Sequence, residues 1–391
     1  MYGIVCCEKK RGLLVKKNKL TQQVKVSEKN DSIRLLNAPK KTVYHTKING
    51  EKLNILVEVQ EDVVVGQVLA KIDDEKQVKS TISGKIVSIE EKQNKDGSFS
   101  FAITVENNFS KETLLKKLVN PSKDELIKRM EEGNLQELLT LKNEEIIVIN
   151  GKDNKNTFYL RKTILNNFET QILKGANYIK KAFSKAQVFI LVDKSFNLKL
   201  TEQIEKLNLK NIKVITKSIK KSKVLDIQTP LDFYEAVNFG VIKTKRTIYV
   251  GGESIKEKGF YTATIGTPID EIIDFCGGLK HTYEEIEAYK EDAKMAIFDQ
   301  IQIKNEIKAE KDKVKKQELK NLLQEKKQEA QKLIFSNFDL QKEKYEKCLA
   351  QIVFYEYHER FSAKGIGNVV EEKTQGILFL SNKQKKNRVK K

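Results

Sequence analysis

The side chains that most often carry chemistry are few and scattered in this chain of 391 residues. Cysteine occurs only as Cys6, Cys7, Cys276 and Cys348. No two stand in a CxxC spacing, so local sequence offers no zinc or iron–sulfur ligand set. Cys6 and Cys7 are adjacent, which disfavours a bond between them, and nothing reads as a secreted disulfide framework. Cys276 falls in the apolar segment IIDFCGG, where a small buried hydrophobe is the expected role. His45, His281 and His358 are far apart and lack HxxxH or HxxE spacing, so they compose no metal motif. GxxxxGK followed by Ser or Thr is absent, as is GxSxG. The Glu-rich stretches at 284–291 and 306–329 read as solvated helix faces rather than acid–base pairs. No catalytic, cofactor-binding or metal-ligating residue is assigned on these grounds.

Charge is the next clue. The formal net charge is +19, which invites a nucleic-acid or membrane-surface reading. Yet arginine occurs only at 11, 34, 129, 161, 246, 360 and 388, and tryptophan is absent. Bidentate recognition of phosphates or bases would favour arginine, so a lysine-dominated surface is better explained by solvation. No apolar run approaches the ~20 residues that would cross a bilayer. The start, MYGIVCCEKKRGLL, lacks an export signal's apolar core and cleavage site. The expected location is the cytoplasm, at most peripheral to the inner face of the cell membrane.

The patterning divides the chain into seven stretches. Residues 1–32 form a basic lead-in. Residues 33–110 are short β runs (ILVEVQ, VLAKI, KIVSIE, FAITVE) punctuated by Gly66, Gly84 and Gly97. The segment EDVVVGQVLAKIDDEKQVKSTISGKIVSIE resembles a barrel-sandwich hybrid, the fold of biotinyl and lipoyl carriers. At the carrier lysine's position stands Asp73, with Lys71 and Lys76 out of register, which predicts a structural module rather than a swinging arm. Residues 111–245 alternate helices with strands, indicating a parallel α/β layer. There Asn120 or Ser122 caps the helix DELIKRMEE, EEIIVING is a buried strand, and helix 163–183, QVFILVD, LTEQIEKL, IKVIT and helix 231–237 follow. Residues 246–281 hold two β runs around GESIKEKG, then the helix of GTPIDEIIDFCGG with its glycine stop. This stretch resembles a soluble-ligand-binding β-grasp, or SLBB, domain.

From 282 to 361 glycine and proline almost vanish. Ile297, Ile301, Leu319, Leu322, Leu323, Leu333 and Ile334 recur at helical spacing. The expectation is a helical hairpin or coiled-coil arm, with a break at FSNFD and a further helix carrying Tyr345, Cys348 and Ile352. Phe354, Tyr355, Tyr357 and Phe361 would seal it against the body, leaving Val314 and Leu319 near the tip as candidate partner contacts. A return β element follows at 362–382, and a basic tail at 383–391. The expected fold class is α+β multidomain: a barrel-sandwich hybrid, an α/β layer, an SLBB β-grasp and a long helical insertion.

In this order the parts resemble the RnfC family of Rnf- and Nqr-type electron-transport complexes. LVEVQEDVVVGQVLAKID, EEIIVING, IGTPIDEIIDFCGGLK and TQGILFL carry the resemblance. It implies a cytoplasmic-face component passing electrons through flavin and iron–sulfur centres to membrane partners, with 111–245 similar to an NADH-dehydrogenase flavoprotein. It also implies 4Fe-4S clusters, FMN and NADH, but the residues for them are missing. Where the family has a glycine-rich phosphate loop, this chain has LIKRMEEGNLQELLTLKNEE with Gly133 alone. Where the family has an acidic, cysteine-bearing loop after the ING strand, KDNKNTFYLRK keeps only Asp153 and brings Lys152, Lys155 and Arg161. The CxxCxxCxxxCP repeats of a ferredoxin-like cluster domain are absent. No cofactor is therefore expected. The favoured function is a degenerate, non-catalytic assembly or docking protein whose partner is a protein, such as a membrane complex. The alternatives are a residual flavin- or NADH-linked electron-transfer protein, and an RNA- or ribosome-associated protein using its lysine-rich arm and tail.

Overall fold

The computed structural model describes residues 32–47, 54–71, 77–93, 99–110, 114–153, 158–209, 211–331, 349–356, 359–362, 369–370 and 374–381. Cys6, Cys7, Asp73, Lys76, Lys155, the FSNFD break, Cys348 and the basic tail lie outside them.

The β module is built as its alternation requires. Strands β2 (Lys41–Lys47), β8 (Phe99–Asn107), β7 (Gly84–Gln93) and β4 (Asp62–Val63) form one antiparallel sheet, in that order. Strands β3 (Asn54–Ile55), β5 (Val68–Lys71) and β6 (Gln77–Lys79) form the second. Their inner faces enclose Val57, Val63, Leu69, Ile82, Ile86, Ile103 and Val105. Buried at the module's rim, the Tyr44 hydroxyl meets the Thr81 hydroxyl at 2.8 Å, and the Thr81 hydroxyl donates to Ile265 O at 2.6 Å. This chain of bonds fastens the module to the rest of the molecule. Strand β1 (Ile33–Leu35), grouped with the module by sequence, leaves it and pairs with a strand far downstream.

The α/β layer follows the sequence expectation closely. Helix α1 (Lys123–Glu132) starts at a reciprocal capping box, Glu125 N to Ser122 Oγ at 3.2 Å and Ser122 N to Glu125 Oε2 at 2.7 Å. Short helix α2 (Gln136–Leu139) leads into β9 (Ile146–Asn150). Then come α3 (Leu160–Ala182), β10 (Gln187–Leu191), α4 (Lys194–Lys206), β11 (Ile212–Ile215), β12 (Lys223–Asp226) and α5 (Gln228–Phe239). The four strands are all parallel, in the order β11-β10-β9-β12. Both sheet faces are covered, so β9 and β10 carry near-continuous apolar runs.

A second, six-stranded sheet draws on distant parts of the chain. Its order is β1, β14 (Gly259–Thr264), β13 (Lys245–Gly251), β17 (Thr374–Ser381), β15 (Leu349–Glu356) and β16 (Glu359–Ser362). Helix α6 (Ile269–Phe275) follows β14 and ends at Gly277 and Gly278, whose φ of 75° and 87° are the left-handed values a glycine stop supplies. Helices α7 (Tyr283–Ala309) and α8 (Lys313–Gln331) follow and pack on each other. Asp312 opens α8 by accepting the Val314 amide at 2.7 Å.

One expectation fails here. The helix predicted to carry Ile352 is strand β15, and Phe361, given to the arm, lies in β16. Ile352, Val353, Phe354 and Tyr355 are contiguous β-branched and aromatic residues, a buried-strand signature that outweighs the sparse helical spacing of Tyr345, Cys348 and Ile352. The helical stretch is therefore shorter than 282–361, and the sheet claims residues 349–356 and 359–362.

Close approach of α3 to α5 governs the layer's packing. A Cβ at Gly175 would stand 1.8 Å from the Pro230 carbonyl oxygen, which only a shift of helix backbone could relieve. Gly175→Ala should therefore lose about 2 kcal/mol of stability by overpacking, although alanine is the better helix former by about 1 kcal/mol. Urea denaturation of the full chain reads this; an unchanged or raised midpoint would mean that the helices separate freely.

Candidate functional site

Strand order locates the crevice. Numbered within the layer, β11-β10-β9-β12 is 3-2-1-4, so the direction of winding reverses between β9 and β12. Open α/β sheets bind ligands at the carboxyl ends of strands at such a switch point. Here those ends are Asn150 and Asp226.

The loop leaving β9 turns on the Asn150 side chain, whose oxygen accepts the Lys152 amide at 3.1 Å. It then brings Asp153 to the start of α3. One carboxylate oxygen accepts the Arg161 amide at 3.1 Å and the other the Lys162 amide at 3.0 Å. These first-turn amides, together with the helix dipole, make a helix N-terminus an anion site. The chain's own carboxylate occupies it. Just before the helix, Phe158 and Tyr159 have φ of 54° and 58°, a left-handed conformation costing bulky residues of order 1–3 kcal/mol each. Stacking holds Phe158 there: its ring lies 4.8 Å from Tyr249, which meets Phe260 at 5.4 Å. Burial in that aromatic layer pushes the Tyr249 phenol up to about 12.

On the other side of the crevice Asp226 ends β12, 5% exposed. Two arginines flank it, Arg161 and Arg246, 2% and 4% exposed. Arg161 Nη2 stands 3.5 Å from Asp226 Oδ2, and Arg246 Nη2 stands 3.7 Å from Oδ1. The Gln228 amide donates to Oδ1 at 3.1 Å, and Gln375 Nε2 donates to Oδ2 at 3.3 Å. Arg246 Nε donates to the Thr374 carbonyl at 2.6 Å. The Gln228 side chain exchanges two bonds with the backbone of Thr247, at 2.9 and 3.1 Å. One carboxylate thus gathers α3, α5, β12, β13 and β17. Buried ions need partners, because desolvation costs each several kcal/mol, although Arg161 Nε makes no hydrogen bond here.

The residues singled out in sequence fall into distinct places. Asp153 and Arg161 meet at the crevice, whereas Lys152 reaches out to Asp193 at 3.9 Å on the surface. Sequence reasoning misses Asp226, Gln228, Arg246 and Gln375. The available signal is arginine itself, since a chain that defaults to lysine places Arg129, Arg161 and Arg246 in its interior. Cys276 is fully buried, as expected, and burial pushes its thiol up to about 11. His45 and His281 lie in separate parts of the fold, and no group of metal-ligating side chains occurs among the described residues. Leu319 is half-buried, whereas Val314 is 68% exposed. No helix among the described residues is long and apolar enough to cross a membrane.

Comparison with known proteins is decisive for the β module. Residues 15–110 match the RnfC barrel sandwich hybrid domain. The match is to this domain and covers well under half of the chain. No curated protein matches the chain. Two crystal structures of NAD+-reducing NiFe-hydrogenase, air-oxidised and H2-reduced, are similar at 10% identity, with TM-scores of 0.33 and 0.32. Each alignment covers 41% of this chain and 40% of the other, so the chain spans well under half their length. A likeness that distant bears on neither fold nor function.

The buried cluster and the buried thiol can each be tested. Asp226→Asn removes the charge that two buried guanidinium groups share and should cost about 3–5 kcal/mol, whereas Gln375→Ala, which removes one neutral donor, should cost about 1 kcal/mol. Equal losses in urea denaturation would contradict the central role given to Asp226. Cys276, with its thiol raised to about 11, should resist iodoacetamide in the folded protein at pH 8 and react after denaturation. Peptide mapping of the alkylated residues distinguishes it from the other cysteines.

Proposed function

We propose that this RnfC-like chain is a non-catalytic assembly or docking protein, related to components of membrane electron-transport complexes, that has given up its flavin, nicotinamide and cluster chemistry. The observation that carries this reading is Asp153 on the first-turn amides of α3. A phosphate brought to that helix end would meet a carboxylate already bonded to both donors, so the residues of the crevice do not fit a nucleotide or flavin phosphate. Opposite, the Asp226 carboxylate is bound by Gln228 and Gln375 and flanked by two arginines, which suits a structural fastening rather than a group poised to move protons. Phe158, stacked on Tyr249, fills space beside the same helix end.

In this reading the module of 33–110, the SLBB-like stretch at 246–281 and the return strand form a body that holds its place in a protein complex. The coiled-coil-like hairpin then adds a contact surface, with exposed Val314 near its tip. The partner is a protein, with a membrane complex at the cytoplasmic face favoured by the family.

Anaerobically purified full-length protein tests this. Iron and acid-labile sulfide should be far below one cluster per chain, and titration with FMN or NADH should leave the protein's thermal midpoint unchanged. Replacement of residues 292–330 by a short Gly/Ser linker should preserve the body's cooperative unfolding and remove co-purifying protein. A stoichiometric flavin, or a cluster at near-full occupancy, would overturn the proposal.

A further inference from the structure

At the end of β9 stands the pair Asn150-Gly151, which carries chemistry of its own. An asparagine followed by glycine is prone to spontaneous loss of its side-chain amide, because no Cβ on the second residue hinders attack by that residue's backbone nitrogen. The Gly151 nitrogen, its proton drawn off by hydroxide, would form a bond to Asn150 Cγ. The Cγ–Nδ2 bond would break, and ammonia would leave with the proton returned from water. Water then opens the succinimide ring at either carbonyl, giving aspartate or isoaspartate. Solvent is the only co-reactant, so the reaction is decided by access to the Gly151 N–H and by the freedom of the two groups to meet.

The fold withholds both. Asn150 is the last residue of an inner strand, in register with Leu191 on one side and Asp226 on the other. Gly151 is buried, and its N–H donates to the Leu191 carbonyl at 2.8 Å. A buried, bonded amide gives up its proton only when the structure opens locally. The Asn150 side chain is tied as well, its oxygen accepting the Lys152 amide at 3.1 Å.

Conversion would in turn undo what this strand end supports. Isoaspartate routes the main chain through the former side chain and lengthens it by one methylene. Gly151 could then not reach Leu191 while β9 keeps register with both neighbours. The new free carboxylate would arise in register with Asp226, whose two oxygens already accept the Gln228 amide and Gln375 Nε2. Downstream, the same loop delivers Asp153 to the first-turn amides of α3.

We infer that Asn150-Gly151 is a modification site gated by folding. It is closed in the native protein and open in a chain unfolded at β9, and once converted to isoaspartate it blocks the return to the native fold. The inference is independent of what the crevice binds, since it concerns the backbone at the strand end.

Ageing the full chain for several days at mildly alkaline pH tests it, one sample folded and one unfolded in urea, each then peptide-mapped by mass spectrometry. Deamidation at Asn150 should be at least tenfold slower in the folded sample. The aged, unfolded sample is next returned to buffer and its refolded monomer separated from misfolded chain by size-exclusion chromatography. Isoaspartate at 150 should be at least fivefold depleted in the monomer relative to the misfolded fraction. Asn150→Ser keeps an oxygen for the Lys152 amide but cannot form the ring, so it should retain the refolding yield that the wild type loses on ageing. The wild-type fractions decide the matter even where this variant folds poorly from the start. Equal rates of deamidation in folded and unfolded chains overturn the gating. Isoaspartate at 150 in the refolded monomer at the same proportion as in the misfolded chain overturns the block to refolding.

Discussion

Everything around the crevice depends on one buried carboxylate. Asp226 closes β12 at the point where the winding of the α/β layer reverses, and it is held from both sheets at once. Without it, Arg161 and Arg246 would bring two guanidinium groups into an interior that penalises charge. With it, α3 is fixed from the layer's side and β13 and β17 from the other. The helix start that Arg161 shares with Asp153 is therefore not free to reshape for a ligand. The left-handed Phe158 persists because its surroundings over-determine it, through the ring stack on one side and the anchored helix on the other.

In the function proposed above, a ligand-binding geometry is kept while its anion site is filled by the chain itself. A switch point, a loop and a helix N-terminus are all present, and each alone would suggest a nucleotide site. The side chain at position 153 changes the sign of that expectation, because a carboxylate meets the same amides and the same dipole that would favour a phosphate. Evolution of such a site needs no change of fold. It needs an anion supplied from within.

Much of the fold is legible in the sequence where local rules act alone. Ser122 and Glu125 announce α1, the apolar run of EEIIVING announces β9, and the paired glycines after Cys276 announce the end of α6. The failures have a common cause in long-range pairing. Strand β1 alternates like its neighbours in the β module, and nothing in Ile33–Leu35 records that its partner is Phe260–Thr262. The strand at 349–356 mimics a helix through a few apolar residues at helical spacing, although its centre has the density of a buried strand. The Asp226 cluster is invisible for the same reason, since Arg161 and Asp226 are 65 residues apart and Gln375 lies 149 residues beyond Asp226. Only the rarity of arginine hints at it, and that rarity speaks as readily about surface partners.

The pairing of β13 with β17 also has a consequence during synthesis. Tyr249 lies opposite Gly376, so a ribosome must add the whole helical hairpin and two further strands before β13 gains that neighbour. Until then one edge of β13 presents unpaired backbone groups, and Asp226 lacks the donor of Gln375. Helices α7 and α8 are close in sequence, pack on each other and can form as soon as they emerge. By folding back on itself the hairpin shortens the effective connection between β14 and β15, which lowers the entropy lost when the sheet closes. Packed on each other, α7 and α8 would thus shorten a long crossing before the last strand arrives.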